Sequence, residues 1–285
     1  KNRIIQKSVL FHCYLLVFDI YIKLKAHASS SRKVRYLRNA LKWIFSKGYR
    51  LQLQEVESTI SQLCSEHHGV FPVETIGCQE KNLAVFGWNS FEHSFLETSV
   101  TGGFRKAGFN LRVLTPPSAL SDKIYKFFLG ERVSVFLDYC PKPSIFSALK
   151  LIENASNERD ILHVSYKGVG VGKFVFSTMM RRSRQGTIKI GSLRDSIVLI
   201  ANLAKSMSYV DGAIRLIREE QIDAALLVDR GYSPYGEVFD VIVSMGKPAY
   251  TWNVGHKSNS IIMKRYEKHN RDLHFSSLSE KTWES

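Results

Sequence analysis

The sequence predicts an α/β fold in which a mostly parallel sheet is covered by helices on both faces. Two observations predict it. From residue 81 onward, short apolar runs alternate with stretches of helical periodicity. The runs are continuous rather than alternating, as strands buried on both faces require. The size is sufficient as well, because 285 residues of 44% hydrophobic composition can bury a large core.

The elements follow in order. Leu83-Ala-Val-Phe86 ends at Gly87 and reads as a buried strand. Leu96, Val100 and Phe104 recur every four residues, so a helix follows, closed by Gly108. Asn110–Leu114 is the next strand, stopped by Pro116 and Pro117. A helix near 119–129, a strand at Val133–Leu137, a helix after Pro143 and a fourth strand at Ile161–Ser165 complete the first half. Helices are expected at 171–182 and 192–219, then a strand at Ile222–Val228. A helix at 235–245 closes at Gly246, and Pro248–Trp252 is the last predicted strand. This order is Rossmann-like, with right-handed crossovers and ligands at the carboxyl ends of the strands.

Residues 1–76 read as a separate, basic helical segment before a lobe at 77–270. The net charge is +14, and residues 1–50 carry twelve Lys/Arg against the single acidic Asp19. Val34, Leu37, Leu41, Ile44 and Phe45 lie at helical spacing among Arg32, Lys33, Arg35, Arg38 and Lys42. Such a face suits an anionic membrane surface; a solvated face on a helix packed against its own domain is the competing reading. The charge has no nucleic-acid recognition motif with it, and nucleic acid is not expected as a partner. No apolar run reaches the length of a membrane span. Cys13, Cys64, Cys78 and Cys140 have neither metal nor redox spacing, so reduced core cysteines and no structural metal are expected.

Several polar groups stand where such folds bind ligands. Gly168-Val-Gly-Val-Gly-Lys173 lacks the first glycine and the Ser/Thr of a Walker loop, having Lys167 and Phe174 there. It also lacks the third glycine of a dinucleotide loop, where Lys173 stands. Gly170 and Lys173 remain candidates for contact with an anion, against a plain tight turn. Arg181-Arg-Ser-Arg184 is either a phosphate or headgroup contact or a solvated helix end. Glu92 and His93 follow the first strand, and His93 has the side chain suited to proton transfer near neutrality. Asp229, Tyr232, Tyr235 and Glu237 form the densest polar group after a strand. His256, Lys257, Asn259, Lys264 and Arg265 follow the last strand; on a helix, Lys257 and Lys264 would share a face.

These runs resemble segments of surface and capsular polysaccharide glycosyltransferases. The resemblance covers roughly residues 80–285. It rests on Val171–Gly186, Asp229–Glu237, Gly255–Asn259, Lys264-Arg-Tyr266 and Phe275–Glu284. It implies the amino-terminal, acceptor lobe of a two-lobed GT-B fold. The implied reaction is metal-independent sugar transfer from a nucleotide-sugar donor, with no cofactor, to a glycan or lipid-linked acceptor. His93 and Glu237 compete as general base. Asp229, Tyr232, Glu237, His256, Lys257 and Asn259 match polar positions of the family segments. The implied place is the cytoplasm, at the inner face of the membrane. Ser277 and Glu280 form a capping box. A helix should begin there, and the resemblance implies that residues 271–285 start a crossover to a donor lobe. The alternative is a non-catalytic sugar or nucleotide binding module of α/β architecture.

Overall fold

The computed structural model describes residues 81–87, 91–115, 119–129, 133–155, 157–184, 193–255 and 260–273, with scattered positions between 46 and 62. The basic segment 1–45, the 277–280 capping box and residues 256–259 lie outside them.

Five strands form one sheet in the order β2-β1-β3-β4-β5. They are β1 (Lys81–Phe86), β2 (Phe109–Leu114), β3 (Ile222–Leu227), β4 (Ala249–Val254) and β5 (Ile261–Tyr266). The first four run parallel, and β5 returns antiparallel beside β4. The main helices are α1 (Phe91–Lys106), α2 (Ala119–Leu129), α3 (Ile145–Leu151), α4 (Glu158–Leu162), α5 (Val171–Ser183), α6 (Leu193–Glu219) and α7 (Tyr235–Ser244). The expected mostly parallel sheet between two helical layers is present.

Strand pleating sorts the core into two layers. Leu83 and Val85 of β1 join Leu111, Val113, Ala224, Leu226 and Trp252 under α1 and α2. Ala84 and Phe86 face the other way, with Leu114, Ala225, Leu227 and Ala249, under α3 to α7. Leu83–Phe86 of β1 and Ala224–Leu227 of β3 are buried on both faces, so those stretches read as unbroken apolar runs.

Two predicted strands are corrected. Residues 133–137 make a single bridge, Ser134 to Leu114, and then enter a short 3-10 turn at Phe136–Asp138. Phe136 leaves the strand path to pack edge-on against Phe86, at 5.4 Å between ring centres. Residues 161–165 belong to the end of α4 and the loop after it. Asn157 and Asp160 there form a reciprocal capping box, each side chain accepting the other's backbone N–H. That local cap outweighs the apolar run Ile161–Val164.

The Gly168–Lys173 run forms a tight turn that leads into α5. Tyr166 and Val169 exchange backbone hydrogen bonds around a turn in which Lys167 and Gly168 have positive φ. The N–H groups of Val169, Val171 and Gly172 are occupied by the carbonyls of Tyr166, Val169 and Val164. Gly172 lets α5 press against α4, since a Cβ there would lie 1.8 Å from the Ile161 carbonyl oxygen. Gly172→Ala is therefore expected to lower the unfolding free energy by about 3 kcal/mol in a denaturant titration.

Candidate functional site

The central strand β3 ends at Leu227 and releases a loop, residues 228–234, before α7. Asp229 Oδ1 accepts the Gly231 N–H at 2.7 Å, a local turn typical of aspartate. The Ser233 N–H donates to Thr178 Oγ1 of α5 at 3.0 Å. Gly236 begins α7 hard against α5, where a Cβ would meet the Phe174 ring at 2.3 Å. The loop is thus bound to the helical layer behind it.

In front of the loop is a cleft of about 430 Å³ at the carboxyl ends of β3 and β4. Its walls include Ser177, Asp229, Tyr232, Thr251, Asn253 and Lys264. The Arg181 guanidinium covers the Tyr232 ring at 4.5 Å and lies 3.9 Å from Asp229. Burial, and then the neighbouring Arg230, push the Lys264 ammonium below its ordinary pKa. Arg230 is itself occupied: it stacks on Phe239 and Tyr266 and donates to the Arg271 and Leu273 carbonyls.

The more usual ligand position in this topology is the crevice between β1 and β3, where strand order reverses. Here Tyr235 crosses it. Its hydroxyl donates to the Gly87 carbonyl at 3.3 Å. Beneath it, Tyr125 donates to the buried Glu97. Gly87 has no room for a side chain, because a Cβ would approach the Tyr125 oxygen to 2.5 Å. Tyr125 and Tyr235 both have pKa values raised, chiefly by burial, so they stay neutral hydrogen-bond donors.

The structure divides the sequence-derived candidates. Asp229 and Tyr232 line the cleft, and Tyr235 closes the neighbouring crevice. His93 is exposed on α1, its ring 6.4 Å from that of Trp252, in the opposite layer from Glu237. The two candidate bases are therefore not brought together. Glu92 is in the first turn of α1. Gly170 is the N-cap of α5. Lys173 pairs with Asp240 at 3.3 Å and covers Phe174. His256, Lys257 and Asn259 lie outside the described residues. The helix considered for Lys257–Arg265 is corrected to the edge strand β5, at least from Ile261 onward. Successive strand residues face opposite ways, so Lys264 turns to the cleft while Arg265 is exposed and pairs with Glu267.

Glu237 is wholly enclosed. Its Oε1 accepts the hydroxyls of Ser206 on α6 and Ser233 in the loop. Its Oε2 has no hydrogen-bond partner. Burial raises the carboxyl pKa to about 7, partly offset by the two serine bonds. Asp240, one turn on, is equally enclosed but held by Arg271 at 2.6 Å and by Lys173. Sequence reasoning missed Ser206, Thr178 and the Glu97–Tyr125 pair. Their only sequence signal is a polar residue interrupting an apolar helix face.

Among the described residues, no three His, Cys, Asp or Glu side chains gather as a metal site. One described helix, spanning Asp195–Glu219, is long and apolar enough to cross a membrane, and its apolar window is 67% buried in this core. The α3, α5 and α7 helices cover it, which accounts for that apolarity.

No family model, curated protein or solved structure matches the chain. What stands is an α/β sheet layered by helices on both faces, compatible with binding a sugar or nucleotide.

The buried Glu237 makes stability pH-dependent. Its ordinary pKa of 4.5 rises to about 7 on folding, so the native state holds the proton more tightly. Its contribution is most favourable below pH 4.5 and is lost as pH rises through 7. Unfolding free energies measured from pH 4.5 to pH 8 should shift toward Glu237→Gln, relative to wild type, by on the order of 3 kcal/mol.

Proposed function

We propose that this chain binds a phosphorylated sugar or sugar nucleotide in the cleft beside the β3–α7 loop. The observation that carries the proposal is the cleft's make-up at the strand carboxyl ends. It combines the ring of Tyr232, the hydroxyl of Ser177, the carboxamide of Asn253, the carboxylate of Asp229 and the Lys264 cation, with the Arg181 guanidinium beside the wall, over Tyr232 and 3.9 Å from Asp229. Amides, hydroxyls and carboxylates are the partners that sugar hydroxyls need, and an ammonium and a guanidinium suit a phosphate. A cavity of about 430 Å³ accommodates a ligand of that size.

Isothermal titration of the protein with UDP, with a UDP-sugar and with free monosaccharides tests the proposal. Binding of at least one is expected. Lys264→Ala should weaken the phosphorylated ligands roughly tenfold or more, as loss of a charge-assisted contact does. Absence of binding across uridine, guanosine and cytidine sugar nucleotides and free sugars would overturn it.

The transferase reading narrows the ligand of the cleft to a phosphorylated acceptor and adds turnover. It is supported by the resemblance of Asp229–Glu237, the segment that forms the cleft wall, to the polysaccharide glycosyltransferases. In that reading this lobe takes the acceptor, a glycan or lipid-linked sugar, and residues 1–50 hold the protein on an anionic membrane. Transfer of labelled sugar from a nucleotide donor into a lipid-linked acceptor extract is the deciding assay. Ligand binding without transfer leaves the binding module as the function.

A further inference from the structure

Ser233 belongs to the loop that walls the cleft, but its side chain turns inward. Its backbone N–H is held by the Thr178 hydroxyl, and its own hydroxyl donates to Glu237 Oε1. Ser206 of α6 donates to the same oxygen. Ser233 therefore fastens the loop to the helical layer through one neutral group and one ionisable group, beside the bonds that Arg230 makes to the Arg271 and Leu273 carbonyls. Oε2 is enclosed and has no hydrogen-bond partner, so a proton can sit there without displacing either serine.

We propose that Glu237 is a positioning residue whose protonation state sets how firmly the cleft loop is held. The effect on the loop is independent of any ligand; its consequence for affinity rests on the cleft being the binding site. Burial brings the carboxyl pKa to about 7, so both forms are populated near neutrality. The ionised form accepts the serine hydroxyls in charge-assisted bonds, roughly twice as strong as neutral ones. Loop order, and ligand affinity with it, should therefore rise with pH while global stability falls.

The surroundings favour Glu237 as the titrating group. On α7 itself, Asp240 adds a carboxylate that opposes ionisation of Glu237, and is paired with Lys173 of α5 and Arg271. From α6 come Ser206 and the partly buried Tyr209, which has Arg182 of α5 among its charged neighbours. Burial raises the Tyr209 pKa, so its phenol stays protonated through this window. From β3 and β4, Leu227 and Ala249 bring apolar surface to the layer, and Thr251 of β4 adds a buried hydroxyl.

Amide hydrogen exchange of residues 229–234 in the full chain, corrected for its intrinsic pH dependence, tests this. From pH 6 to pH 8 the wild-type loop should gain about fivefold in protection. Glu237→Gln, which keeps an acceptor oxygen but cannot ionise, should hold the low-pH value throughout. Ser233→Ala should abolish the step in the loop yet keep the pH dependence of global stability, because Glu237 and Ser206 remain. A flat wild-type profile, or a step surviving in Ser233→Ala, overturns the proposal. UDP affinity followed over the same range separates the two readings. A loop step without binding of UDP or of any of the sugar nucleotides and sugars named above tells against the ligand assignment alone, and UDP binding without a loop step tells against the positioning role alone.

Discussion

Two carboxylates buried one turn apart on α7 hold together the end of the molecule where the cleft opens. Glu237 ties the helix to α6 and to the loop after β3. Asp240 ties it to α5 and to the turn after β5. A buried charge is tolerated only when it is paired or can take up a proton. Asp240 meets the first condition and Glu237 the second. The same helix thus carries a fixed ionic joint and an adjustable one. The loop between β3 and α7 inherits its position from both.

That joint explains why the open cleft lies beside β3 and β4 rather than between β1 and β3. Tyr235 emerges at the start of α7 and reaches Gly87 across the strand crossover. Tyr125 and Glu97 fill the space below. Among the described residues, a cleft opens beside that tyrosine, under the returning strand β5. Its Lys264 and Ile262 face the loop while Ile261, Met263 and Arg265 face away. The hairpin therefore acts as one wall of the cleft, and the antiparallel return of β5 gives that wall its cation.

The sheet was readable in the sequence because Leu83–Phe86 of β1 and Ala224–Leu227 of β3 are buried on both sides, and nothing but apolar residues fits there. The two strand assignments that failed were apolar runs of another origin. Phe136 is apolar because it packs on Phe86, and Ile161 because it ends a capped turn of helix against α5. Strand β5 escaped because its apolar run is broken by Lys264, which faces the cleft, and Arg265, which is exposed on the other side. Of the polar candidates, Asp229 and Tyr232 were recognisable from their place after a strand. Ser206 and Thr178 were not, since a hydroxyl within an apolar helix has no period that reveals its partner.

The sequence alone determined the α/β class, the strands β1 to β4 and the end of the sheet at which polar residues collect, because burial and helical period are local, repeated signals. Tertiary structure alone decided what those residues do. Glu237 and Asp229 stand eight positions apart around the same turn, with equal prospects on paper. One is sealed among serines and the other lines a cleft, because α5 and α6 close over one side of α7's first turn and leave the strand ends open. Which side of a helix is covered depends on contacts far apart in the chain, and no local pattern records it.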